Sequence, residues 1–204
     1  MFMKVCVSCV AAVLAISGAA IVATSVPAAS SAAPIAAPAA AAMVYTVDSG
    51  HSSVIFKAKH NQVANFYGRF DDVSGSFALE EGGSFDVSIK AESVHSGNSK
   101  RDDHLRNPDF FSAKEFPTMT FKSKSVKAKG SDSFEVMGDI TFRGTTKPLT
   151  VTVKSTGTGE ARGKKLAGME TVFTIKRSEF GSTYGIPGIS DDVELIVSLE
   201  GVAG

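Results

Sequence analysis

The sequence predicts an all-β domain of antiparallel strands, closed as a barrel or packed as a sandwich, with one short helical insertion. Three observations carry that expectation. Apolar and polar residues alternate with a period of two in run after run between Tyr45 and Leu199, the pattern of strands with one buried face. Glycine-containing tetrapeptides separate the runs, and glycine supplies the positive φ that tight hairpins need. Between residues 93 and 121 (SVHSGNSKRDDHLRNPDFFSAKEFPTMTF) the alternation stops, charges cluster, and Pro108 and Pro117 punctuate the segment. An excursion of that length in a sheet protein builds a lid, a plug or a site.

The beginning of the 204-residue chain reads differently. Met1 to Lys4 is a short basic start, Val5 to Val26 an apolar run, and Pro27 to Ala42 almost only Ala, Ser and Pro. That order predicts a signal peptide over residues 1–28, cut somewhere from Ala28 to Ala42, and an Ala/Pro/Ser-rich spacer over residues 29–43. An uncleaved anchor is the alternative, since the apolar run is just long enough to span a bilayer. Its small residues and weak hydrophobicity favour cleavage. The domain over residues 44–204 is therefore expected to be periplasmic or secreted. Both cysteines, Cys6 and Cys9, fall within the leader, too early in the apolar run for a lipoprotein. The exported portion then has no thiol, which excludes disulfides, thiolate catalysis and cysteine-ligated metal. About 160 residues suffice to bury a core without such staples.

Basic and acidic residues balance at 21 each. No concentrated basic surface points to nucleic acid, and none is expected as a partner. The alternate lysines of Lys122, Lys124, Lys127 and Lys129 read as a solvated outer face.

In chain order, Tyr45–Val47 is a short opening strand. Val54, Phe56, Ala58 and His60 share one face of the next, with Lys57 and Lys59 on the other. Residues 61–68 and Lys100–Arg106 are each expected as a short helix, with Ser99 capping the second. Val73, Gly75, Phe77 and Leu79, then Phe85, Val87, Ile89 and Ala91, form inward faces around a turn at Glu80-Glu81-Gly82-Gly83. Met119, Phe121 and Ser123 resume the pattern, followed by Val136, Gly138, Ile140 and Phe142, with a turn at Lys129-Gly130-Ser131-Asp132. Arg143-Gly144-Thr145-Thr146 turns into Leu149, Val151 and Val153. Gly157–Lys165 joins that strand to Met169, Thr171, Phe173 and Ile175, and Val193, Leu195, Val197 and Leu199 end the series. The inward faces include Ala58, Gly75, Ala91, Gly138 and Thr171 where a solid core would use Leu, Ile or Val. In a barrel of about eight strands, small inward residues leave room for one ligand, although a tapering barrel uses them too.

Catalytic motifs are lacking. Gly181-Ser182-Thr183-Tyr184-Gly185 has the wrong spacing for a nucleophile elbow, and no phosphate-binding or dinucleotide fingerprint occurs. His51, His60, His95 and His104 show no ligand spacing, so no metal, cofactor or catalytic residue is expected. His60 reads either as a satisfied histidine near the rim of the core or as a polar contact for a ligand head group. Arg101, His104 and Arg106 read either as ties between the excursion and the sheet or as partners for an anionic head group. The pair Phe110-Phe111 is either core or a cover over an apolar chain.

From Tyr45 to Gly201 the chain resembles the YceI-like family of exported lipid-binding proteins. The matching pieces are His51-Ser52-x-Val54-x-Phe56-x-x-x-His60, Gly68-x-Phe70 and Gly75-x-Phe77. The most specific is Arg101-Asp102-x-His104-Leu105-Arg106-x-x-Asp109-Phe110-Phe111, followed by Phe116-Pro117-x-x-Thr120-Phe121. Gly138-Asp139-Ile140-Thr141-x-x-Gly144-x-Thr146-Lys147-Pro148, Arg177-Ser178-Glu179-Phe180-Gly181 and Ser190-Asp191-Asp192-Val193-x-Leu195 complete the set. The resemblance implies a lipocalin-like, extended antiparallel β-barrel with an elongated apolar cavity and a helical insertion at residues 99–112. It also implies a long isoprenoid ligand, of the polyprenyl phosphate or isoprenoid quinone type, or another long-chain lipid.

The expected cavity residues are Phe56, Phe77, Phe121, Ile140, Phe142, Val151 and Phe173, with Phe110 and Phe111 as lid. His60, Arg101 and His104 are the head-group candidates. The expected role is sequestration or transport of the lipid without catalysis, with transient contact to a membrane or membrane enzyme, as a monomer or homodimer. The rivals are an enzyme of unknown type, such as a hydrolase using His and Asp of residues 95–109, and an interaction protein with a solid core.

Overall fold

The computed structural model describes residues 42–204. The expected signal peptide, its cleavage region and most of the spacer lie outside the described residues. In chain order come β1 (Tyr45–Val47), β2 (Ser53–His60), β3 (Ala64–Phe70), β4 (Val73–Phe77), β5 (Phe85–Lys90) and β6 (Val94–His95). One helix, α1 (Ser99–Arg106), interrupts them. Then come β7 (Thr118–Ala128), β8 (Ser133–Phe142), β9 (Thr145–Ala161), β10 (Lys164–Lys176) and β11 (Ile189–Ala203).

All eleven strands belong to one antiparallel sheet, in the order β1-β4-β5-β7-β8-β9-β10-β11-β2-β3-β6. Pairing of β1 with β11 closes eight of them into a barrel. The barrel expected from the sequence is therefore present, and the sandwich is not. Strand β11 is long enough to hold two partners in succession. Gly201–Ala203 pair with β1, and Val193–Ser198 pair with β2. Between these partners, Asp48 caps a single 3-10 turn, its Oδ1 accepting from Gly50 N at 2.9 Å. Ser52 Oγ donates back to Asp48 O at 2.7 Å. Strands β3 and β6 extend the wall from β2, and α1 follows β6 after three residues.

Three local expectations need correction. Residues 61–68 are a turn and most of β3, not a helix. Asn61 and Gln62 take φ values of 50° and 57°, the two-residue geometry that matches strand twist. Ala64, Phe66, Gly68 and Phe70 then alternate inward, but Gly68 hides the period because the Phe56 ring fills its place. The cap of α1 is Asn98, whose Oδ1 accepts from Arg101 N at 3.0 Å, and Ser99 is the first helical residue. Finally, β9 continues through Gly157 to Ala161, and the turn proper is Arg162-Gly163, with φ of 53° and 73°.

The small inward residues divide into two groups. Ala58 and Thr171 face open space. Gly75 and Gly138 do not: each lies against a neighbouring strand's backbone, at Asp86 and Lys122 respectively, where a β-carbon would collide. Gly138 sits at the β7–β8 bulge, where the register slips between Ser123 and Ser125. Ala91 is wholly buried in the 3-10 turn Ala91–Ser93.

Candidate functional site

The barrel encloses an elongated cavity of about 570 Å³, within the range that holds a small-molecule ligand. Along β11, the residues Ile189, Val193, Leu195, Val197 and Leu199 line it in succession. Beyond Leu199 the barrel is filled. Phe77, with no exposed surface, stacks between Tyr45 (centroids 5.7 Å apart) and Phe85 (6.1 Å). Phe77 therefore lies behind the cavity rather than on its wall, and Phe85 is the ring that faces the space. Alternation places Phe77 inward, but it carries no information about depth along the barrel axis.

The remaining expected wall residues do line the cavity: Phe56, Phe121, Ile140, Phe142, Val151 and Phe173. Around them stand Val54, Val87, Leu149, Val153 and Met169, giving an almost wholly hydrocarbon wall. The Thr171 and Thr141 hydroxyls on it are internally satisfied. Thr171 Oγ1 donates to Thr152 O at 2.8 Å, and the Thr141 and Thr146 hydroxyls pair at 2.8 Å. Among the described residues, no buried side-chain nitrogen or oxygen lacks a partner. The wall therefore offers apolar contact rather than directed bonds.

One side of the opening is covered by the excursion. Asn107 ends α1, and residues 107–116 turn back across the barrel, with Phe111 N donating to Leu105 O at 2.9 Å. Phe111 meets Phe56, Phe70 and Phe142 at centroid distances of 5.8, 5.1 and 5.9 Å. Phe110 packs edge-on to His104 (5.0 Å) and Tyr184 (5.3 Å). Arg143 Nη1 holds the segment down, donating to Pro108 O at 2.7 Å and Phe110 O at 2.5 Å.

Exposure locates the mouth. The exposed residues among those lining the cavity are Lys59, His60, Ala64, Asn65, Arg101 and Tyr184. They come from the β2–β3 hairpin, the first turn of α1 and the loop before β11. The three head-group candidates thus gather at one end. The His60 ring makes no hydrogen bond among the described residues. Arg101 lies over the Phe66 ring at 4.6 Å and donates from Nε and Nη2 to Ser96 Oγ and O, at 2.9 and 2.8 Å. His104 is committed through Nε2 to Asp109 Oδ2 at 2.8 Å. Arg106, by contrast, is a structural tie: it bonds Glu92 O, Val94 O and Asp103 and does not reach the cavity.

Sequence reasoning met Arg177 only as part of a matching motif and gave it no role. This side chain is 5% exposed and donates to the carbonyls of Ser182, Tyr184, Ile189 and Ser190 at 2.8–3.0 Å. It thereby fixes the loop that carries Tyr184. Burial pulls its pKa below the ordinary arginine value, and the nearby Asp191 charge opposes that shift. Its partners are backbone oxygens, which no residue type signals.

The model of the YceI-like domain matches residues 45–201. The chain belongs to the YceI-like family. It is 38% identical over 157 residues to a UPF0312 protein of Pseudomonas aeruginosa, spanning 74% of this chain and 82% of that one. Among solved YceI-like barrels, BcnA of Burkholderia cenocepacia superimposes with a TM-score of 0.69 at 25% identity, over 76% of this chain and 98% of BcnA. A domain from Saccharophagus degradans, described as polyisoprenoid-binding, superimposes with a TM-score of 0.64 over 79% of this chain and 99% of that one. At 17% identity that second likeness shows the shared fold alone.

Proposed function

We propose that this protein is an exported carrier that sequesters or transports a long-chain isoprenoid, of the polyprenyl phosphate or isoprenoid quinone type, without catalysing a reaction. The observation that carries this reading is the division of the cavity: a wall of hydrocarbon with a few threonines, an inner end plugged by stacked rings, and exposed charged residues at the mouth. Such a space suits one apolar tail with its head group left outside. Each buried methylene contributes on the order of 0.8 kcal/mol, so a long tail supplies affinity without directed bonds. The description of a same-fold domain as polyisoprenoid-binding supports the class of tail. Phe56, Phe121, Phe142 and Phe173 would contact the tail, Phe110 and Phe111 would cover it, and His60, Arg101 and His104 would face the head group. The apolar, small-residue leader supports an exported location, periplasmic or secreted.

The test is organic extraction and mass spectrometry of protein purified from its own compartment, compared with a heat-denatured sample. A stoichiometric isoprenoid released only on denaturation is expected. An empty barrel that also fails to bind a long isoprenoid saturably would remove the proposal.

A further inference from the structure

The tip of the β2–β3 hairpin presents Val63 with 84% of its surface exposed. The loop before β11 presents Tyr184 and Ile186, also exposed. These segments are clasped together: Asn61 N donates to Gly188 O at 2.5 Å, and Gln62 Nε2 donates to Pro187 O at 2.8 Å. Single exposed apolar residues are ordinary. Three on two clasped segments, bordering the opening of an apolar cavity, form a surface suited to association.

Two exposed cations, Lys59 and Arg101, stand at the same rim. Lys59 and Arg101 have no carboxylate partner among the described residues. Of the acids near Arg101, Asp103 is paired with Arg106, Asp109 is hydrogen-bonded to His104, and the buried Asp102 accepts from Ser96 N and Oγ. We propose that this rim is a docking surface for an anionic lipid bilayer, with Val63 and Ile186 entering the interface, Tyr184 at head-group level, and Lys59 and Arg101 against lipid phosphates. Apolar tips flanked by tyrosine and cations are the composition that interfacial anchoring selects. Docked this way, the mouth opens onto the membrane, and a tail passes between bilayer and barrel without crossing water. The cargo in this picture rests on the isoprenoid reading above; the docking surface does not.

The test uses the domain of residues 42–204, because the apolar leader would bind vesicles on its own. Every strand of the closed ring lies within residues 45–203, all inside the domain tested. Flotation is measured with vesicles of phosphatidylcholine alone and of phosphatidylcholine with phosphatidylglycerol, both free of isoprenoid. The domain should float with the anionic vesicles. Val63→Asp combined with Ile186→Asp should lower the bound fraction about tenfold, and Val63→Trp should raise it. Binding of a fluorescent geranylgeranyl phosphate in vesicle-free solution should be the same in all three forms. No flotation of the parent domain, or equal flotation of the double variant, overturns the docking surface and leaves a protein partner as the rim's occupant. If flotation behaves as expected while no form binds the probe, docking stands and the cargo reading falls. If the probe binds while nothing floats, the cargo reading stands and docking falls.

Discussion

Gly68 and Phe56 face each other across the β2–β3 pair, and the Phe56 ring occupies the volume that a side chain at position 68 would need. A β-carbon on Gly68 would fall 2.6 Å from Phe56 Cε1. The same ring touches Phe66, Phe70 and Phe111. A glycine on one strand thus sets the aromatic lining opposite it.

Gly68→Ala should therefore act more on capacity than on stability. The displaced ring can swing into the cavity, so the overpacking cost stays near ~1 kcal/mol, read by urea denaturation. Isoprenoid uptake should fall more steeply. A stability loss with undiminished uptake would mean that the ring yields in another direction.

Ala58 lines the cavity from β2, between Phe66 on β3 and Val193 on β11. Ala58→Phe should place a ring in the space and abolish binding of a long isoprenoid while the barrel still melts cooperatively. Full lipid occupancy in a folded variant would count against this cavity as the binding site. Gly138→Phe is no substitute for this test, because Gly138 abuts the Lys122 backbone and the Phe121 ring.

Arg177→Met should destabilise the fold by about 3 kcal/mol, since buried carbonyls lose a charged donor. Arg177→Lys should recover only part of that, because an ammonium cannot reproduce the planar fork. Hydrogen exchange locates the effect. The Ile189 amide, bonded to Gly185 O at 2.8 Å, should exchange faster through local opening in both variants, whereas amides of the β7–β8 pair should lose no more protection than the global loss of stability accounts for.

His51 and Asp48 form an exposed pair at 3.0 Å beside the 3-10 turn. The hydrogen bond to Asp48, then the charges of Asp48 and Glu200, raise the His51 pKa. The bond from His51, then that from Gly50 N, lowers the Asp48 pKa. A raised histidine value means the pair's contribution is complete below the unfolded value of about 6.5 and fades as pH climbs through the folded value. On the acid side it fades as pH falls through the lowered Asp48 value. An NMR titration of the His51 ring should give a midpoint above about 6.5, and Asp48→Asn should bring it back. An identical midpoint in the two proteins would rule out the coupling.

Strand faces were legible because the period of two survives wherever both neighbours are strands: Val54-Phe56-Ala58, Val193-Leu195-Val197. Depth was not legible. Phe77 and Phe85 carry the same inward signal, yet one lies behind the cavity and the other on its wall, because alternation is blind to position along the barrel. Glycine misled in both directions. Gly75 and Gly138 read as room and prove to be backbone crowding, whereas Gly68 broke the pattern of a strand that is there. The mouth came together only in three dimensions, from segments 125 residues apart at Lys59 and Tyr184, and Arg177 showed as part of a motif without a role because its ligands are carbonyls.

The stacked rings of Tyr45, Phe77 and Phe85 stop the cavity at its inner end. A tube stopped at its inner end acts as a gauge of tail length. Each added isoprene unit should strengthen binding until the tail meets Phe85, and further units should remain at the opening and add nothing. Across a homologous series the affinity would climb and then level off, whatever the head group. The protein would then choose its cargo by how far a chain reaches rather than by what the chain carries.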